Sequence, residues 1–201
     1  MKTSHRFILA GVYGLLAVVA SFSVLAEDIN PAPMLTVPVV IYGAENSTNV
    51  PPYAPSGWMG KFDAIELDDV SKDLPHSGEV CMKITFSDAK DWGGIVWQHP
   101  PNNWGTEEGG YHLYGARQLS FWARGAAGTE RIEVKFGILK DKLYSDSTQA
   151  VLGHIRLSKI WRHFSIPLAG KNLSRIVTPL CISFAGTGKP FSFYLDDIVI
   201  E

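Results

Sequence analysis

The sequence predicts an all-β protein, a sandwich or barrel of short strands, on three observations. About nine runs alternate apolar and polar residues with period two, each bounded by Gly, Pro or Asn clusters. No long stretch carries the 3.6-residue periodicity of an amphipathic helix. The chain is also rich in turn formers and rings, with 19 Gly, 12 Pro and 11% aromatic residues.

At the start, Lys2 and Arg6 precede an uncharged run over 7–25 and a Val-Leu-Ala triplet before Glu27. This is the pattern of a secretory signal peptide over 1–26. The alternative is an uncleaved anchor, since the run is near the lower limit for a bilayer span. Small residues at the cleavage position, with no positive cluster after them, favour cleavage. The expectation is a secreted or periplasmic protein with no membrane contact once the signal is cleaved. Residues 27–55 are dense in Pro, Asn, Ser and Thr and read as an extended N-terminal segment with one strand at most, at the short apolar run 37–42, followed by a long loop.

The domain itself is expected over 56–201, a length that fits a single core. Its alternating runs are 62–67, 80–86, 94–98, 118–124, 131–138, 154–157, 163–168, 179–185 and 191–200. The clearest places Ile132, Val134, Phe136 and Ile138 in alternation with polar or small residues. Setting aside Lys2 and Arg6, 16 of the 18 basic residues remain against 20 acidic ones. With no basic block, nucleic acid and anionic membrane are poor partners.

The two cysteines, Cys81 and Cys181, are disulfide candidates in an exported chain. Alternation puts Cys81 on the face of Lys83 and Thr85, and Cys181 on the face of Ser183, so both thiols project from the outer face of a sheet. They can be bridged only if their strands are neighbours in one sheet.

The densest cluster of unusual residues is Asp91-Trp92-Gly-Gly-Ile-Val-Trp97-Gln98-His99-Pro-Pro-Asn102-Asn103-Trp104-Gly. A sugar offers flat C–H faces to aromatic rings and hydroxyls to amides, carboxylates and guanidinium groups, and this stretch supplies both kinds of partner. Trp97 and Trp104 are candidate contacts, with Gln98 and Asn103 as polar partners. A Trp in a half-buried strand is as readily packing, and Trp92 and Trp161 are read as structural. Trp122 and Arg124 share the face opposite Leu119, Phe121 and Ala123, which suits a sugar platform or a Trp–Arg stack covering a sheet. Tyr144 sits in a polar loop that completes a cleft or forms an ordinary turn.

Asp196 and Asp197 fall inside the last strand, where a core-facing charge needs a partner. Calcium would supply one, and a β-bulge placing one Asp in solvent would serve equally. Catalytic motifs such as Gly-x-Ser-x-Gly and His-Glu-x-x-His are lacking. Asp91 with Glu107 or Glu108 would be the carboxylate pair of a glycosidase, although loop acids are usually just solvated.

Several motifs follow one another in a familiar order: Pro-Ser-Gly-Trp-Met-Gly at 55–60, His-Ser-Gly-Glu-Val-Cys at 76–81, Trp-Gly-Gly-Ile-Val-Trp-Gln at 92–98, Asn-Asn-Trp-Gly at 102–105, Leu-Ser-Phe-Trp-Ala-Arg-Gly at 119–125 and Phe-Tyr-Leu-Asp-Asp-Ile at 193–198. The set resembles the galactose-binding-domain-like β-jelly-rolls of bacterial secreted proteins, a superfamily that includes many carbohydrate-binding modules. The resemblance implies a two-sheet antiparallel β-sandwich and a structural calcium with Asp196 as a ligand. Glu45, Asp68 and Ser77 are where further ligands are expected. It implies a non-catalytic protein that binds a polysaccharide or oligosaccharide, alone or in the service of a separate carbohydrate-active enzyme. A jelly-roll lyase or hydrolase and an envelope protein-interaction module are the alternatives.

Overall fold

A computed structural model describes residues 30–43 and 51–201; the signal over 1–26 and Glu45 lie outside them. The alternating runs become strands because apolar residues at every second position bury one pleated face. In order these are β1 Met34–Thr36, β2 Val39–Tyr42, β3 Ala54–Gly60, β4 Ile65–Ser71, β5 Cys81–Phe86, β6 Trp92–Gln98, β7 His112–Tyr114, β8 Gln118–Gly125, β9 Arg131–Phe136, β10 Ala150–Arg156, β11 Arg162–Pro167, β12 Leu180–Ala185 and β13 Phe191–Ile200. A 3-10 turn at Phe62–Ala64 precedes β4.

Two antiparallel sheets face each other. The first runs β10-β9-β12-β6-β3, and the second runs β11-β8-β13-β5-β4 with β2 joining β13. A small parallel pair, β1 with β7, forms a third sheet whose Leu113 reaches the core. The sandwich begins ahead of residue 56, because β2 from the 27–55 segment pairs with β13. The one strand expected at most in that segment, at the 37–42 run, thus belongs to the sandwich, and the start of the domain moves ahead of 56.

Between the sheets, Ile95 and Trp97 of β6, Ile132, Val134 and Phe136 of β9 and Ile182 of β12 meet Met82, Ile84, Phe193 and Leu195. Phe184 joins them through edge-on pairs with Phe86 at 5.1 Å and Phe193 at 5.4 Å. Such pairs add about 0.5–1.5 kcal/mol each beyond their buried area. In β13 a bulge between Asp196 and Val199, with Asp197 at φ 45°, breaks the alternation by one residue. Leu195 and Ile198 thereby both reach the core.

The disulfide reading is corrected. Cys81 lies in the second sheet and Cys181 in the first, and both are free thiols. Projection from outer faces, which alternation predicts, is what separates them: those faces lie on opposite sides of the sandwich.

Candidate functional site

Trp92 opens β6, and its register decides where a ligand can reach. Gly93, Ile95 and Trp97 point into the sandwich, so Trp92, Gly94 and Val96 point out of it. A row of outward positions then crosses all five strands of the first sheet. His154 stands opposite Glu133, Glu133 opposite Ser183, Ser183 opposite Gly94, and Gly94 opposite Met59. Gly94 leaves the middle of this row bare, since a Cβ there would come within 2.8 Å of the Met59 methyl.

The result is a groove along the outer face of the sheet. One part, of about 560 Å³, is lined by Trp92, Arg131, Glu133, Lys135, His154 and Ser183 among others. An adjoining part of about 410 Å³ shares Trp92, Lys135 and Ser183 and adds Met59, Val151 and Cys181. The Trp92 indole is 51% exposed. Its backbone is fixed by the Lys61 N–H, which donates to the Trp92 carbonyl at 2.8 Å.

Polar groups stand on the same floor. Lys135 Nζ is 2.7 Å from Glu133 Oε2. The Ser183 hydroxyl donates to that oxygen at 3.2 Å, and His154 Nε2 lies 3.9 Å from Oε1. The bond from Lys135 holds the Glu133 carboxyl below its ordinary range, so it is an acceptor at neutral pH. Glu133 is the one carboxylate among the described residues lining the groove. A larger cleft of about 660 Å³ at the end of the sandwich meets the groove at Thr187. The Glu130 carboxylate there is already taken by the N–H groups of Ala127 and Thr129.

The residues singled out in the sequence are not brought together. Trp97 is 1% exposed and belongs to the core, so it is no sugar contact. Gln98 and Asn103 are fully buried and hold the 99–110 loop: Gln98 Nε2 donates to the Asn103 carbonyl at 2.7 Å, and Asn103 Oδ1 accepts from Gly105 N–H at 2.8 Å. Both are loop anchors in place of ligand partners. Trp104, half-buried in that loop, and Tyr144, 5.5 Å from the Arg175 guanidinium, line neither part of the groove.

Trp122 and Arg124 do share the outer face of the second sheet, but the segment 72–78 roofs it. The His76 ring stacks on Trp122 at 3.8 Å and 18°. Arg124 is buried over the Tyr194 ring at 3.7 Å and donates to the Asp73 carbonyl. The platform reading is therefore replaced by the covering stack. Trp92, read as structural, is instead an exposed ring lining the groove.

Asp68, Ser77 and Asp196, the expected calcium ligands among the described residues, each make hydrogen bonds within the protein. Asp196 accepts three backbone N–H bonds, from His76 at 2.9 Å, Ser77 at 3.2 Å and Asp197 at 2.9 Å. These donors and the bulge satisfy its buried charge. The Ser77 hydroxyl donates to Asp197 Oδ1 at 2.6 Å, and Asp68 Oδ1 accepts from Val70 N–H. Among the described residues no group of three or more His, Cys, Asp or Glu is placed to hold a metal.

No protein-family model and no curated protein matches the chain. Among solved structures, the fold is similar to a family 30 carbohydrate-binding module, with a TM-score of 0.54 and 18% identity over 82% of this chain and 98% of that one. A family 11 carbohydrate-binding module of a cellulosomal cellulase of Clostridium thermocellum aligns at a TM-score of 0.46 and 13% identity, over 83% of this chain and 95% of that one. The fold is a two-sheet antiparallel β-sandwich of the jelly-roll kind found in carbohydrate-binding modules.

Proposed function

We propose that this protein is a non-catalytic carbohydrate-binding module, whose polysaccharide or oligosaccharide lies along the outer face of the first sheet with a sugar ring stacked on Trp92. The observation that carries the reading is a half-exposed indole in a groove that also presents charged and hydroxyl groups, Arg131, Glu133, Lys135, His154 and Ser183 among them. Apolar ring surface left in water is surface that the C–H face of a sugar covers favourably. Glu133, Lys135, Ser183 and His154 then offer partners to the sugar hydroxyls. The fold shared with the family 30 module supports the same reading.

Binding is favoured over hydrolysis because glycosidases use two carboxylates about 5–9.5 Å apart, whereas Glu133 is the one acid lining the groove among the described residues and is paired to Lys135. With the signal read at 1–26, the module acts outside the cytoplasm, alone or beside a separate carbohydrate-active enzyme.

Affinity electrophoresis of purified protein through gels containing different polysaccharides tests the proposal. The wild type is retarded by at least one polymer, and Trp92→Ala loses that retardation, weakening binding by about 30-fold or more, as truncating a central aromatic anchor does. A Trp92→Ala protein retarded as strongly as the wild type overturns the reading.

A further inference from the structure

We infer that the glycan held on the Trp92 groove is acidic, carrying carboxylate or sulfate groups, and that Arg131 and Arg156 recognise those groups. The inference rests on the groove being the binding face.

The argument begins with register. Arg131 of β9 and Arg156 of β10 are direct cross-strand partners, and both are exposed. Each is two residues from the Glu133–His154 pair, so both side chains project from the same outer face. Arg131 lines the same part of the groove as Trp92. Like charges directly opposite each other on a sheet face are destabilising, and an anion placed between them reverses the sign.

Nothing nearby supplies that anion. Among the described residues neither guanidinium makes an ion pair. The one carboxylate on the floor, Glu133, is already answered by Lys135 at 2.7 Å. The acid next to Arg131 in the chain, Glu130, is buried and already accepts from the Ala127 and Thr129 N–H groups. The patch is also not a general property of the chain, whose formal net charge is −2. The fold therefore places two uncompensated guanidinium groups on the sheet face that carries the exposed indole, Arg131 in the groove itself and Arg156 opposite it on the edge strand, on an otherwise mildly acidic protein. A guanidinium fork matches the paired oxygens of a carboxylate or sulfate, and the indole matches a sugar ring. A neutral glucan would use the indole and leave the two guanidinium groups unanswered.

The test uses the wild type, Trp92→Ala and the double variant Arg131→Gln/Arg156→Gln. Each is run through gels containing polygalacturonate, dextran sulfate or neutral hydroxyethyl cellulose, with single-stranded oligothymidylate as a control polyanion. The expected result is retardation by an acidic polysaccharide that exceeds retardation by the neutral one and falls with added salt. The double variant should bind the acidic polymer about tenfold or more weakly, and Trp92→Ala should lose it. Preference for polygalacturonate identifies carboxylates as the recognised group, and preference for dextran sulfate identifies sulfates. Equal binding of the neutral polymer, unchanged in the double variant, overturns the inference and leaves the module reading standing. Acidic polymers held undiminished by Trp92→Ala, or oligothymidylate held as tightly as any glycan, reduce the effect to plain charge attraction and overturn it as well. A wild type that binds no polysaccharide removes both readings.

Discussion

The indole of Trp92 lies against Gly60, so closely that a Cβ on Gly60 would come within 3.0 Å of ring atom Cδ2 and would collide with the Trp92 carbonyl oxygen. Gly60 also has φ 65°, in the left-handed region that a side chain disfavours. The glycine ends β3 where the chain turns beside the ring, so a side chain there would press on the indole and change the angle at which it meets the groove. Gly60→Ala is therefore expected to cost about 1–3 kcal/mol in stability and to weaken glycan binding although residue 60 offers no side chain to a ligand. Thermal unfolding and affinity electrophoresis of the same variant check both effects; binding equal to the wild type would show that the ring's angle is not set here.

Trp92 and Trp97 lie five residues apart on one strand and should fail in opposite ways. Trp97 is packed between the sheets, so Trp97→Ala leaves a cavity and costs about 3–5 kcal/mol. Trp92→Ala removes a half-exposed ring and should change stability by no more than about 0.5 kcal/mol, while removing binding. Urea unfolding curves of the two variants, set beside their gel retardation, check the contrast. Equal stability losses would mean that Trp92 too is a packing residue.

Much of the fold is written in the alternation of runs such as β9 and β13, because a half-buried strand must alternate to cover one face. The site is less legible for two reasons. In Gly93-Gly-Ile-Val-Trp97 both faces look apolar, since Gly94 and Val96 point outward without being polar, so period two does not reveal that Trp92 is the outward ring. One signal does lie in the register: Trp92 has odd separation from Trp97, so on a regular strand one of the two must leave the core. The partners of Trp92 come from β9, β10 and β12, and the pairing of distant strands is invisible in a one-dimensional pattern. The covering of Trp122 and Arg124 is hidden in the same way, because the segment 72–78 reaches them from more than forty residues earlier in the chain.

The two thiols should remain reduced and unreactive in the native protein and should weaken it at alkaline pH. Burial pushes the pKa of the Cys81 thiol up to about 11 and that of Cys181 up to about 12, from an ordinary value near 9. The folded state thus holds these protons when the unfolded state has lost them. The stabilisation is complete below about pH 9 and is lost as pH rises toward 11. A two-unit shift is worth about 2–3 kcal/mol. Unfolding free energies at pH 8 and pH 10.5 should fall less for Cys81→Ala/Cys181→Ala than for the wild type. A thiol reagent at pH 8 should find two groups in denaturant and almost none in the native protein; finding none in denaturant would restore the bridge.

Asp146 is the buried acid on which the loops beside the groove depend. Its Oδ1 accepts from the N–H groups of Val177 at 2.6 Å and Thr178 at 3.0 Å, and its Oδ2 accepts from Leu139 N–H at 2.9 Å. These bonds tie the 139–148 loop to the segment before β12, and Gly137 and Ile138, which follow β9, line the groove. Asp146→Asn keeps the shape but turns an NH2 group toward donors that need acceptors, leaving at least one buried N–H unpaired. The expected cost is about 2–4 kcal/mol, which for a domain of this size lowers Tm by about 5–15 °C. Asp146→Asn should nonetheless bind glycan like the wild type below its own melting range, because the Trp92 floor is built from strand register alone. Calorimetric melting with gel retardation at 10 °C checks the pair of expectations. A variant that melts normally but no longer binds would place the 139–148 loop, in place of the sheet face, at the centre of recognition.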